Sequence, residues 1–383
     1  MVKNVFDKKI SELLSASKEV FNDCVMPNGA IVASNSSKRY SPKDAAYYKM
    51  VWPRDAMYTC IAAKILGLDI QEKFFEWCMK AEDWEKTGLF YEVYNIDGTK
   101  VRNSFQPDQT GSVLIAIHDY YRDKKNKNIE CRKFEKLIRK SAEGLCKIWD
   151  KDYFTLVSKD LWEERRCFPD MKENFTYSLA ICSRGLACAN ELIPNKKWLK
   201  VSEEMKNVLL THFKINNNAK NDNIKNYNIK NDTVKNFYRS FGKINDERID
   251  ASLLGLMWPS ELVSAKDIMM KNTVNVIEQK IVKDYGIYRY EADEYDGWMY
   301  KKNTYRKKGA GYWPLLNFWM VLYYLEINNK AKALRYYNKV LMDIKDKKYI
   351  PEQILNNSIQ VGVYPLCWSH SMFIIASKRL GYI

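Results

Sequence analysis

Along most of the chain, apolar residues recur at three- and four-residue spacing, the pattern of helices that bury one face. Between 110 and 124 the residues Val113, Ile117, Tyr120 and Tyr121 share a face, and between 329 and 345 Leu334, Tyr337, Leu341 and Ile344 do the same. Read by this period, the chain predicts twelve helices, near 7–23, 54–66, 70–85, 110–123, 131–149, 174–191, 196–213, 249–257, 264–280, 311–326, 329–345 and 365–380. The connections alternate in length. Those after the even helices are short, at 67–69, 124–130, 192–195, 259–264 and 327–329. Those after the odd helices are long, through 24–53, 86–109, 150–173, 214–248, 281–310 and 346–364.

Short turns force antiparallel neighbours, so all the long loops emerge at the same end of an up-and-down array. Six helical hairpins closed into a ring would gather them around one mouth, and loops held by a rigid scaffold are where functional residues concentrate. The expected fold is therefore all-α, a ring of six hairpins. Part of one long loop, "KINNNAKNDNIKNYNIKNDTVKN" at 214–236, is low-complexity and strongly polar, so it reads as an insert outside the packed ring. No Pro/Gly/Ser-rich linker divides the chain, which predicts a single domain over residues 1–383.

Composition narrows the function. Hydrophobic residues at 46%, with 11 Trp, 26 Tyr and 15 Phe, exclude a disordered chain and supply flat rings on which sugar faces can stack. A net charge of +15 raises nucleic acid as a partner, but the surplus sits in Lys/Asn-rich loops such as "DKKNKN" at 123–128 without a binding motif, so none is expected. Nine cysteines without a CxxC pair read as free buried thiols of a reducing compartment. His118, His212 and His370 are far apart in sequence, and no metal or other cofactor is expected. The opening "MVKNVFDKKISELL" lacks the apolar centre of a signal peptide, and no apolar run is long enough to span a bilayer. The expectation is a cytoplasmic protein with no membrane partner.

The long loops carry the candidate chemistry. The first holds "NGAIVAS" (28–34) and ends in "YYKMVWPRDA" (47–56), the second holds "QPDQTG" (106–111), and the third "DLWEERR" (160–166). The fifth holds "YRYEADEYDGW" (288–298), and the sixth "YIPEQI" (349–354), shortly before "PLCWSH" (365–370). Taken singly, Asp55 or Asp108 with Thr110 would merely start a helix, and the run after Trp162 would be solvated charge. Together they bring carboxylates, arginines and tryptophans to one mouth, which suits a neutral polyhydroxylated ligand: rings stack on it, while Arg and Asp bond its hydroxyls. There is no glycine-rich cradle for a phosphate.

"WPRDA", "DLWEER", "RY" at 289–290, "PEQ" and the closing "WSH" occur in the order and rough spacing of the glucoamylase family of inverting glycoside hydrolases, glycoside hydrolase family 15, which also includes glucodextranases and some trehalases. The resemblance runs from about Asn28 to the C-terminus and implies an (α/α)6 toroid. By resemblance, Glu163 is the general acid and Glu352 the general base. Arg54 and Asp55 grip the non-reducing-end glucose with Tyr48 and Trp52 beside them, and Arg289 holds the same sugar. Glu164 resembles the residue that binds the sugar on the leaving-group side, and Trp162 lines the site. The implied activity is exo-acting release of β-glucose from α-glucans or oligosaccharides. An α,α-trehalase on the same scaffold and a non-catalytic carbohydrate-sensing module are the alternatives.

An inverting hydrolase needs two carboxyls about 6.5–9.5 Å apart, with water between one of them and the sugar. Glu163 and Glu164 are adjacent and cannot flank one bond from opposite faces, so the second carboxyl must come from another loop, as Glu352 does. The acid must hold its proton near neutral pH, through desolvation by Trp162 and a like charge from Glu164, with Arg165 and Arg166 pointing outward. The chain departs from the family pattern at Cys167-Phe168-Pro169, at the Asn/Lys insert, and in showing no N-terminal β-sandwich, for which the two readings are a partner chain that supplies it and a short form of the gene.

Overall fold

A computed structural model describes residues 2–219, 236–297, 309–356 and 362–383. Thirteen α-helices follow in order: α1 Val2–Cys24, α2 Pro53–Ile65, α3 Gln71–Cys78, α4 Trp84–Thr87, α5 Pro107–Tyr121, α6 Lys127–Glu130, α7 Glu135–Ile148, α8 Thr176–Leu192, α9 Lys196–Ala219, α10 Ile268–Lys280, α11 Pro314–Glu326, α12 Lys330–Asp343 and α13 Cys367–Leu380. A 3-10 helix, Ala251–Leu256, stands where the sequence predicts the helix at 249–257.

The contacts close a ring. Helix α2 packs on α5, α5 on α8, α8 on the Ala251–Leu256 helix, that helix on α11, α11 on α13, and α13 back on α2. Outside it, α1 lies on α13, α3 on α5, α7 on α5 and α8, α9 on α8, α10 on the 3-10 helix, and α12 on α11. Six inner and six outer elements make the (α/α)6 toroid that the alternating loop lengths predict. The two circles differ in residue pattern for a physical reason. Every residue of α5 except Tyr120 is buried, and α11 is buried from Pro314 to Tyr324, because an inner helix is covered on all sides. Outer helix α12 buries only Ala333, Tyr336, Tyr337, Val340 and Leu341, one stripe at helical spacing.

Inner helices start at the mouth. Prolines at the first helical position open α2 (Pro53), α5 (Pro107) and α11 (Pro314), where no backbone donor is needed and φ is already set. Each proline holds the preceding residue, Trp52, Gln106 or Trp313, in extended geometry, which fixes where that side chain leaves the backbone. Elsewhere the ring is tightened by close backbone approach: a Cβ on Gly185 would lie 2.7 Å from the Gly111 carbonyl oxygen, so α5 and α8 cross where neither carries a side chain.

Strands are confined to two-residue antiparallel pairs in the long loops among the described residues: β1 Trp149–Asp150 with β2 Tyr153–Phe154, β3 Ser158–Lys159 with β4 Arg166–Cys167, β5 Asn174–Phe175 with β6 Ser240–Phe241, and β7 Val282–Lys283 with β8 Gly286–Ile287. The polar stretch read as an insert from 214 departs from that reading at its start, since α9 runs on to Ala219; residues 220–235 lie outside the described residues. The helix expected at 70–85 ends at Cys78 and resumes for one turn at Trp84. One connected hydrophobic cluster extends from Ile10 to Leu380, and all nine cysteines are buried as free thiols. No described helix is long and apolar enough to cross a membrane, and no described group of His, Cys, Asp and Glu could hold a metal ion.

Candidate active site

Residues 160–165 form the tip of the β3–β4 hairpin, in the register Ser158 to Cys167 and Lys159 to Arg166. Asp160 builds the tip from inside. Its buried Oδ1 accepts from the backbone N–H of Glu164 (2.7 Å) and of Arg165 (2.9 Å), while its own N–H bonds the Arg165 carbonyl. This tight loop places Glu163 at φ +65, a left-handed backbone uncommon for a non-glycine residue and held here by its surroundings. The Glu163 carboxyl is thereby turned inward. Its Oε1 accepts from the Trp52 indole N–H, and its Oε2 lies 3.2 Å from Arg102 Nη1. Burial, then the adjacent charge of Glu92, push its pKa up to about 8, against the opposing pull of Arg54.

Glu352 comes from the last long loop. Its backbone N–H bonds Val363 (2.9 Å), and the residues around it are tied to Tyr312 and Gly311 through Ile354 and Gln353. His370 in α13 fixes the root of the loop: its Nε2 accepts from the Ile350 N–H (2.9 Å) and its Nδ1 faces Ser17 Oγ at 2.8 Å, so the ring is held neutral with the proton on Nδ1. Glu352 is 1% exposed, and burial raises its pKa to about 7, the Tyr48 hydroxyl, Arg289 and Gln353 pulling down and Asp55 pushing up.

Arg54 and Asp55 open the first turn of α2. Arg54 is 4% exposed and lies 3.3 Å from Asp55 Oδ1 and 3.3 Å from Asp108 Oδ2, with Gln106 Oε1 at 3.2 Å and the Trp368 ring beneath it. Burial raises the Asp55 carboxyl to about 6 despite Arg54. Arg289 sits in a box of Trp162, Tyr290, Tyr295 and Trp313, its guanidinium carbon 4.6–5.3 Å from the four ring centres. It bonds Asp293 through Nε (2.9 Å) and Nη2 (2.7 Å) and reaches Glu164 Oε1 at 2.7 Å. Trp162 in turn donates to Asp250 (3.0 Å), which is paired with Arg239.

All nine sequence-predicted residues, Tyr48, Trp52, Arg54, Asp55, Trp162, Glu163, Glu164, Arg289 and Glu352, line one cavity of about 330 Å3. Three buried polar atoms of residues that line it have no hydrogen-bond partner among the described residues: Glu352 Oε2 and the indole nitrogens of Trp313 and Trp368. Such groups are costly unless a ligand satisfies them, and they suit hydroxyls.

Two expectations are corrected. The like charge beside Glu163 is Glu92, not Glu164, whose carboxylate is taken up by Arg289 and the Tyr290 hydroxyl. Arg166 is exposed as expected, but Arg165 folds over the Tyr290 ring at 4.5 Å beside Asp160, Glu164 and Asp246 rather than standing in solvent. Phe168 lies on the surface and does not line the cavity. Reading the sequence missed Glu92, Arg102, Tyr295, Trp313 and Trp368. Tyr295 and Trp368 lie in stretches already marked by composition, and Trp313 repeats the Trp-Pro start of α2, which was a usable signal. Glu92 carries no local mark at all.

A toroid whose mouth loops bring two carboxyls together among guanidiniums and aromatic rings has the build of a glycoside hydrolase. The chain belongs to the glycosyl hydrolases family 15, whose family model matches residues 24–378. An uncharacterized glycosyl hydrolase of Methanocaldococcus jannaschii is 27% identical over 357 residues, covering 86% of this chain and 50% of that protein, so the chain spans half the length of this curated relative. Among solved structures, a protein described as a glycosidase superposes with a TM-score of 0.73 at 18% identity, covering 98% of both chains. A bacterial glucoamylase complexed with acarbose superposes at 0.65 and 20% identity, over 92% of this chain and 52% of that one. Hormoconis resinae glucoamylase does so at 0.69 and 14% identity, over 99% and 74%.

Proposed function

We propose that this protein is an inverting, exo-acting glycoside hydrolase that releases β-glucose from the non-reducing end of α-glucans or oligosaccharides, acting as a single catalytic domain. The observation that carries the reading is that Glu163 and Glu352, brought from two separate loops and both raised in pKa by burial, line the same cavity. Glu163 gives its proton to the glycosidic oxygen as the C1–O bond breaks, the bonding electron pair leaving with that oxygen. Glu352 takes a proton from a water whose oxygen forms the new bond to C1 from the opposite face, which inverts the anomer. Buried Arg54 and Asp55 bond the hydroxyls of the terminal sugar, Tyr48 and Trp52 pack beside it, and Arg289 holds it in a low-dielectric setting that strengthens each bond. Trp162 lines the same pocket. Glu164, charge-paired to Arg289, faces the leaving-group sugar.

Glu163→Gln and Glu352→Gln are each expected to lower kcat on maltotriose by about 100- to 10,000-fold with the thermal unfolding midpoint retained. Proton NMR of the wild-type reaction is expected to show β-glucose first. Wild-type turnover in either variant, or α-glucose as the first product, overturns the reading; faster cleavage of trehalose than of maltotriose replaces the substrate.

A further inference from the structure

A carboxylate that no motif marks lies behind the candidate general acid. Glu92 is fully buried, with no accessible surface, and comes from the loop between α4 and α5. Its Oε2 is 2.8 Å from Lys159 Nζ, the residue just before the Asp160 turn, and its Oε1 is 2.6 Å from Arg102 Nη1. That same guanidinium nitrogen is 3.2 Å from Glu163 Oε2. One nitrogen thus stands between two carboxyls, one sealed inside the protein and one facing the cavity.

We propose that Glu92 is a positioning residue that keeps the proton on Glu163 until the glycosidic oxygen takes it, with Lys159 keeping Glu92 itself charged and Arg102 setting the distance between the two carboxyls. The inference rests on Glu163 being the general acid. A fixed negative charge beside a carboxyl disfavours its ionised form, and here the effect is graded by the cation lodged between the pair. The other groups facing Glu163 are Arg54, Trp52, Tyr48 and Tyr295, of which only Arg54 carries a full positive charge. Glu92 shows the reverse shift: against the cost of burial its own pKa is lowered first by its hydrogen bond with Glu163, then by those from Lys159 and Arg102. The pair is therefore divided into one member kept charged and one kept neutral, which is how two carboxyls in contact divide acid and base character. Arg102 is accessible over 43% of its side chain, so it spans from the buried charge to the cavity wall where the leaving-group sugar would sit.

The test is the pH dependence of kcat/KM on maltotriose, with an aryl α-glucoside carrying a good leaving group as the comparison. In Glu92→Gln the basic limb is expected to move down by one pH unit or more while the acidic limb stays. The loss of rate should be at least tenfold larger on maltotriose than on the aryl glucoside, whose departure needs no proton. In Arg102→Met the basic limb is expected to move up. Glu92→Asp, which keeps the charge, should restore most of the wild-type limb. A basic limb unmoved in both Glu92→Gln and Arg102→Met, with rate lost equally at every pH and on both substrates, reduces Glu92 to a packing role and overturns the inference. Should Glu92→Gln fail to fold, Arg102→Met decides alone, and an unmoved or lowered limb rejects the idea. Full activity in Glu163→Gln would instead sink the underlying assignment of the acid, a separate outcome.

Discussion

Burial raises both Glu163 and Glu352, yet the proposed reaction needs one protonated and the other ionised. The neighbours separate the two: Glu92 pushes Glu163 further up, while Tyr48, Arg289 and Gln353 pull Glu352 down. Glu163, up to about 8, keeps its proton to a higher pH than Glu352, up to about 7, so there is a window in which the acid is charged with a proton and the base is free of one. As pH falls through the lower value the base is lost, and as pH rises through the upper one the acid is lost. The expected kcat/KM profile is a bell with its top between those values, and the limbs belong to the coupled site rather than to single residues. A plateau centred near pH 5 would mean that neither carboxyl is desolvated as the packing implies. The sequence marks Glu163 and Glu352 because each sits beside residues that repeat a pattern, Trp162 before one and Pro351-Gln353 around the other. It gives no mark for Glu92, which lies in "YEVYN", because its effect comes only from the fold that stands it against Arg102, Lys159 and Glu163.

At the level of elements, the twelve expected helices correspond to the six inner and six outer members of the ring, and their misreadings have local causes. The 3-10 helix Ala251–Leu256 is short because Pro259 follows two residues after Met257 and cannot continue it. The sequence predicts loop at the end of α9 because "NNNA" is weak in helix propensity, but a helix already nucleated over 196–213 extends cheaply through such residues. What periodicity does not reveal is how closely two helices approach. Gly111 and Gly185 meet backbone to backbone, so a methyl group on Gly185 must push α5 from α8. Gly185→Ala is expected to cost about 1–3 kcal/mol, read as a lowered denaturant midpoint with unchanged slope, despite alanine's better helix propensity. A neutral or stabilised variant would show that the crossing has slack.

Across the whole molecule, a closed ring differs from a stacked array of hairpins because no hairpin is terminal. The seam is zipped at several depths: Lys9 Nζ donates to the carbonyls of Lys345 (3.0 Å) and Lys347 (2.7 Å), Ser17 meets His370 at 2.8 Å, Lys348 pairs with Glu19 at 2.6 Å, and the Cys367 N–H bonds the Ala33 carbonyl at 2.8 Å. In an open array stability is a sum over neighbours and end units fray first, whereas opening any one hairpin here uncovers two others. The nine buried thiols report on this from around the ring: Cys24 on α1, Cys60 on α2, Cys78 on α3, Cys131 just before α7, Cys146 on α7, Cys167 on β4, Cys182 and Cys188 on α8, and Cys367 on α13. Burial also raises Cys146 and Cys188 to about 12, so neither is a ready thiolate in the folded state. If the ring opens as a unit, a thiol reagent under native conditions should label all nine in a single slow phase whose rate rises with low denaturant in parallel with global unfolding. A separate fast phase at Cys24 and Cys367 would instead place a local opening at the seam, and would mean that the loop bearing Glu352 and the loop that leads into Arg54 at the start of α2, which root on either side of it, are held by less than the full stability of the fold.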